Sequence, residues 1–226
     1  MSGIKVPVVR NILEVNERLA ATNRRRFDDA GILALNLMSS PGAGKTSLLE
    51  RTIEALSARY GLAVIEGDIQ SSCDAERIHG KGAQAVQINT DGACHLDGNM
   101  IQTALDALAL DGVDLLVVEN VGNLVCPAEF NLGEHYKVMI LSVAEGDDKP
   151  LKYPLMFRQS AVLLINKIDL LPYVDCDVAK IRERARQLNP DQEVFEVSCR
   201  TGEGLEAWFA WLEARIRETK AGDRLS

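Results

Sequence analysis

The residues whose types and spacing best suit chemistry lie at 39–47, in the run Ser-Ser-Pro-Gly-Ala-Gly-Lys-Thr-Ser. Glycines at 42 and 44 let backbone N–H groups approach an anion closely, and Lys45 can reach the β- and γ-phosphates of a nucleotide. The Thr46 hydroxyl is placed for a magnesium ion, and Ala43 and Ser47 complete the residues expected around the phosphates. The general pattern G-x-x-x-x-G-K-S/T wants glycine at position 39, where this chain has Ser39. If that position requires φ > 0, serine carries a steric penalty that glycine escapes.

A second constellation reads a base. In Asn166-Lys167-Ile168-Asp169 a carboxylate at 169 can accept hydrogen bonds from N1–H and the exocyclic amine of guanine, where adenine would present an acceptor. Lys167 can lie along the ring face, so the spacing N-K-x-D selects GTP over ATP. Further on, Ser198, Cys199 and Arg200 open a small-residue loop able to offer backbone N–H groups to the guanine O6, with Cys199 as a buried thiol under the base. Two carboxylates, Asp68 and Glu119, follow strands nearer the phosphates and suffice for magnesium, directly or through water. Gly122 can give its N–H to the γ-phosphate. We therefore assign Lys45, Asp68, Glu119 and Gly122 to catalysis. The segment reads E-x-x-G followed by Asn123, whereas most regulatory G proteins read D-x-x-G followed by Gln; the shorter Asn is not expected to position water as Gln does.

Cys94-His95 and Cys126-Pro127 depart from an ordinary G protein. Thiolate and imidazole are ligands that suit nickel and zinc, and both pieces fall in loops. Three ligands leave a four-coordinate site incomplete, so water, Cys73 or another subunit is expected to supply the rest. Two copies of an adjacent Cys-His pair across a two-fold axis would make an S₂N₂ site at a dimer interface.

These loops need elements to hold them. An amphipathic helix is expected over 11–30, ended by Gly31, then a strand over 33–38 and a helix over 46–60 capped by Gly61. Further strands are expected over 62–66, 83–88, 114–119, 137–143, 161–166 and 193–197, with helices over 74–80, 96–110, 178–188 and 205–220. Strands apolar on both faces alternate with helices, which means a three-layer α/β fold of the P-loop NTPase kind: a mainly parallel sheet covered on both faces. Residues 1–30 are expected to form a helix packed on a GTPase domain of 31–226.

Composition narrows the partners. The 226 residues are 46% hydrophobic, enough for one well-packed domain. A formal charge of −8 argues against nucleic acid, which is bound through surplus Lys and Arg. No stretch approaches the ~20 apolar residues of a membrane span, and the N-terminal residues lack a signal peptide's apolar core, so a cytoplasmic protein is expected. Five cysteines, an odd number, fit reduced thiols or metal ligands better than disulfides.

Taken together, the runs SSPGAGKTSLLE, VIEGDIQSSCDAERI, GACHLD, ENVGNLVCPAEFNLGE, LSVAEGDDKPLKYP and LLINKIDLLPY resemble the HypB family, the SIMIBI-class GTPases of nickel–iron hydrogenase maturation. Its Cys-His-Leu-Asp and Asn-Leu-Val-Cys-Pro pieces separate it from the related urease accessory GTPases, which carry Cys-Pro-His, and the family tolerates Ser39. The resemblance implies a GTP-dependent dimer that passes nickel onward with a HypA-type metallochaperone to the hydrogenase large-subunit precursor. Slow GTP hydrolysis accompanies the transfer, with Cys94, His95 and Cys126 as metal ligands. Some members add a Cys-rich N-terminal motif or a His-rich tract; here no Cys precedes Cys73 and the histidines are His79, His95 and His135. Two alternatives stand beside this reading: a GTPase chaperone of another metalloenzyme, and a metal-binding scaffold whose nucleotide is not turned over.

Overall fold

The structure, a computed structural model, describes residues 8–68 and 82–222, with side chains from 12–67 and 82–222. Cys73, His79 and the helix expected over 74–80 lie outside the described residues, as does the side chain of Asp68, whose backbone closes a strand. In chain order the strands are β1 (Leu33–Ser39), β2 (Leu62–Asp68), β3 (Gln84–Asn89), β4 (Leu115–Glu119), β5 (Tyr136–Ser142), β6 (Val162–Asn166) and β7 (Glu193–Glu196). The helices are α1 (Val8–Ala30), α2 (Lys45–Leu56), α3 (Gly98–Ala107), α4 (Cys126–Glu129), α5 (Lys149–Lys152), α6 (Pro154–Gln159), α7 (Val178–Leu188) and α8 (Leu205–Lys220). The strands form one seven-stranded sheet in the order β3-β2-β4-β1-β5-β6-β7, and every described pairing is parallel. Strand order reverses around β1, so the crevice beyond the carboxyl ends of β1 and its neighbours is where such a sheet binds ligands.

The core is layered as the period-two geometry of a strand requires. Leu33, Leu35 and Leu37 of β1 face α2 and α8, where they meet Leu48, Ile53, Trp208 and Leu212. On the other face Ala34 packs with Phe27 of α1 and Ile101 of α3, while Met38 packs with Phe157 of α6 and Ile181 of α7. Asn36 falls between those two clusters, fully buried. A strand that reads as apolar thus carries one polar position into the interior.

Several elements differ from the sequence expectation for identifiable reasons. α1 is present, but its buried side holds Asn16, Ala20, Asn23 and Phe27, while Ile12 and Val15 are more than half exposed. The asparagines face inward to meet carbonyls of the α3 N-terminus and of the loop before β5: Asn16 Nδ2 donates to Asn131 O at 2.8 Å, and Asn23 Nδ2 to Gly98 O at 2.9 Å and Leu132 O at 3.1 Å. α2 ends at Leu56 with Ser57 as its cap, so Gly61 does not cap it. Gly61 instead allows a close backbone approach, since a Cβ there would stand 1.8 Å from Gly112 O. α3 starts at Gly98 rather than 96 because the Asp97 side chain accepts from Met100 N and caps it. Three short helices, α4, α5 and α6, were not expected, and Cys126, expected in a loop, opens α4; each carries a proline in its first turn, where the missing N–H is harmless. No described helix is long and apolar enough to cross a membrane.

Candidate nucleotide and metal site

β1 delivers the chain into the phosphate loop and α2 leaves it, so the loop amides and the helix N-terminus converge on one point. Gly44, the residue before α2, has φ 110°, and a Cβ there would lie 2.4 Å from Asn166 Nδ2. Glycine is thus required on both conformational and steric grounds. Ser39 raises no such difficulty: it ends β1 in extended backbone, and the described non-glycine residues at positive φ are Asp91 and Lys167. The Ser39 hydroxyl also accepts from Lys45 Nζ at 3.1 Å, which holds the lysine back along the loop. Ser40 Oγ donates to Glu145, joining the loop to the turn after β5.

Thr46 Oγ1 donates to Glu119 Oε1 at 2.8 Å, so the hydroxyl and carboxylate assigned to magnesium stand within reach of one ion. β2 and β4 pair with Glu66 opposite Glu119, which brings the Asp68 backbone to the same sheet edge two residues further on. This set of oxygen donors suits a hard cation that retains water. Gly122 lies against the phosphate loop, since a Cβ on it would be 3.1 Å from Pro41.

At the other end, Asn166, Lys167, Asp169, Cys199 and Arg200 join Gly44, Ser47 and Leu170 around a cleft of about 250 Å³. Asn166 ties the pieces together: Nδ2 donates to Ala43 O at 2.9 Å, and Oδ1 accepts from Lys167 N and Cys199 N. Lys167 adopts φ 64°, and its Nζ donates to Gly42 O at 2.7 Å, which aims the stem across the cleft. Asp169 is oriented by Ser198, whose hydroxyl donates to Oδ1 at 2.6 Å. The amides of the 198–200 loop are not equally free. The Ser198 amide donates to Glu203 O and the Cys199 amide to Asn166, so neither is available for a base oxygen, whereas the Arg200 amide has no partner among the described residues. Cys199 is a buried thiol whose pKa is pushed up to about 11, chiefly by burial. Arg51, which the sequence reading missed, secures the loop by donating to Cys199 O at 2.9 Å. A lone helix arginine 148 positions from its partner gives no sequence signal.

The third cluster brings Cys94, His95 and Cys126 together, with their ligating atoms within 4.8 Å of one another. The two Sγ atoms are 3.2 Å apart, and Cys94 Sγ is 3.5 Å from His95 Nδ1. Two sulfurs and one imidazole at this spacing fit a nickel or zinc ion. His95 lies tilted against Phe130 with ring centroids 3.9 Å apart, and burial holds its pKa below the usual histidine value, favouring the neutral ring that binds metal. The hydrogen bond shared with Cys94, followed by burial, raises the pKa of Cys126. Among the described residues no fourth Cys, His, Asp or Glu joins the group.

Similarity to known proteins gives the family of the chain. The family model described as CobW/HypB/UreG, nucleotide-binding domain, matches residues 33–196. The hydrogenase maturation factor HypB of Azotobacter vinelandii is 56% identical over 219 residues, 96% of this chain and 72% of that one. The crystal structure of HypB from Helicobacter pylori in complex with nickel aligns with a TM-score of 0.86 at 40% identity, covering 91% of this chain and 96% of that chain. The signal recognition particle 54 kDa protein of Aeropyrum pernix, in complex with GDP, shares the fold alone: TM-score 0.54 at 11% identity, covering 83% of this chain and 49% of that one.

Proposed function

Because the chain belongs to the HypB family of hydrogenase maturation factors, within the CobW/HypB/UreG nucleotide-binding group, we propose that it is a GTPase metallochaperone. In this reading, slow GTP hydrolysis is coupled to nickel delivery during nickel–iron hydrogenase maturation. The observation that carries it is the sharing of one short segment by two sites: Gly122 lies against the phosphate loop, and Cys126, four residues on, lies 3.2 Å from Cys94 in the thiol–imidazole cluster.

Lys45 stabilises charge on the transferring phosphate, and Gly122 senses the γ-phosphate through its amide. Magnesium, when bound, neutralises phosphate charge from Thr46, Glu119 and Asp68. Asp169, held by Ser198, selects guanine, while Asn166 and Lys167 brace the cleft against the phosphate loop. Slow turnover is supported by Asn123, whose amide is occupied by Cys94 O and Val125 N rather than aimed at the phosphates. Nickel or zinc is the cargo of Cys94, His95 and Cys126, and a partner copy or water completes the shell. The chain acts as a cytoplasmic homodimer that GTP strengthens, receiving help from a HypA-type metallochaperone and serving the hydrogenase large-subunit precursor. Residues 1–30, of which α1 is the described part, are its N-terminal attachment and 31–226 its GTPase domain.

The test is metal affinity and stoichiometry measured by titration in the GDP-bound and GTP-analogue-bound states. A difference between the two states is expected, because a switch requires differential affinity. Equal affinities would overturn the coupling.

A further inference from the structure

We propose that Asn120 and Asn123 are positioning residues that carry the movement of the γ-phosphate segment to the metal ligands Cys94 and His95. The inference rests on the nucleotide–metal coupling proposed above and names the atoms that perform it.

Cys126 belongs to the chain segment that follows Gly122, so it responds to nucleotide through the backbone. Cys94 and His95 come from a separate loop, and only contacts across space can make them follow. Beside the contact between the Cys94 and Cys126 thiols and that between the His95 and Phe130 rings, two asparagine side chains hydrogen-bond the backbone of the ligand loop. Asn123 Nδ2 donates to Cys94 O at 3.2 Å while its Oδ1 accepts from Val125 N at 2.9 Å. Asn120 Oδ1 accepts from Leu96 N at 3.1 Å and from Val121 N at 2.9 Å. The amide orientations follow from the partners, since N–H groups must face the oxygens and the Cys94 carbonyl must face the NH₂. The ligand pair is therefore held at the residue before His95 and the residue after it, from either side of Gly122. Asn120 is itself anchored in the sheet, with Nδ2 donating to Asn36 Oδ1 at 3.1 Å.

This accounts for asparagine where regulatory G proteins carry glutamine. The side chain is turned toward the metal loop, and its length suits that carbonyl. Asn120 is fully buried, but Asn123 is not, so Asn123 can be changed without opening the core.

The experiment uses the metal-free full chain and follows alkylation of Cys94 and Cys126 separately by mass spectrometry, with GDP and with a non-hydrolysable GTP analogue. In parallel, cobalt(II) affinity is read from thiolate charge-transfer absorption in both states. Asn123→Asp keeps the acceptor for Val125 N and removes the donor to Cys94 O; Asn123→Ala removes both. A net hydrogen bond is worth roughly 1 kcal/mol, so both variants are expected to reduce the nucleotide dependence of Cys94 alkylation and of cobalt affinity about fivefold. Cys126 alkylation keeps its nucleotide dependence. If the parent responds and the variants respond equally at Cys94, the inference is wrong and the gating reading stands. If neither thiol of the parent responds to nucleotide, gating itself fails and takes the inference with it.

Discussion

At the scale of the residue, recognition depends on how few groups are left unspent. Asp169 meets the cleft with one oxygen already accepting from Ser198 and with Arg200 Nη1 4.0 Å from the other. Its orientation is thereby set before any base arrives, and a site built to hydrogen-bond a particular edge discriminates by ~10⁴-fold against a base lacking it. Asp169→Asn exchanges one acceptor for a donor, so preference is expected to move from GTP toward xanthine nucleotides. Competition binding with GTP, ATP and XTP measures this. Comparable ATP and GTP affinities in the parent would remove the role given to Asp169. Cys199, neutral at physiological pH because burial pushes it to about 11, supplies packing rather than charge to the same cleft.

At the scale of the element, α1 is held by polar side chains that its sequence pattern would place in water. Beneath it, His135 Nδ1 accepts from Ala34 N at 3.0 Å and Nε2 bonds Asp28 of α1 at 3.1 Å. The donating Ala34 amide leaves Nδ1 no place for a proton. Burial first, and then the Arg24 guanidinium, lower the His135 pKa from 6.5, with Asp28 opposing them. A folded value below the unfolded one means the contribution to stability is complete above about pH 6.5 and is lost as pH falls toward the folded value. Hydrogen-exchange protection factors across residues 8–30, which divide out the base-catalysed intrinsic rate, are expected to fall as pH drops below roughly 6.5. His135→Gln, which can still accept from Ala34 N, is expected to flatten that response. An equal pH response in both proteins would exclude His135 as its source.

At the scale of the whole molecule, the sheet edge gathers three chemistries that the sequence scatters over more than 150 positions, from Ser39 to Arg200. The thiol–imidazole cluster has Cys94 at the surface and three ligands from one chain, so a second copy can reach it. Light scattering of the GTP-analogue-bound protein is expected to register a dimer as nickel or zinc is added. Cys94→Ala is expected to lose the metal while keeping guanine nucleotide. A persistent monomer, or a Cys94→Ala variant that binds metal like the parent, would refute the shared site.

The alternation of apolar strands with amphipathic helices was enough to specify a parallel three-layer sheet, because buried strands and period 3.6 leave few other arrangements. Local spacing likewise made the phosphate loop, the N-K-x-D tetrapeptide and the Cys-His and Cys-Pro pieces legible, since each acts through neighbours in the chain. Contacts between distant segments were decided only by tertiary structure. No periodicity reports that Asn16 and Asn23 turn inward to meet carbonyls near residues 98 and 131, that Ser198 orients Asp169, or that Arg51 braces the base loop. The same holds for Asn123, which in sequence stands where a water-positioning residue is expected and in the fold donates to Cys94 O, 29 positions away. A polar side chain's partner is set by which carbonyl the packing leaves unpaired, and that is known only once the segments have been brought together.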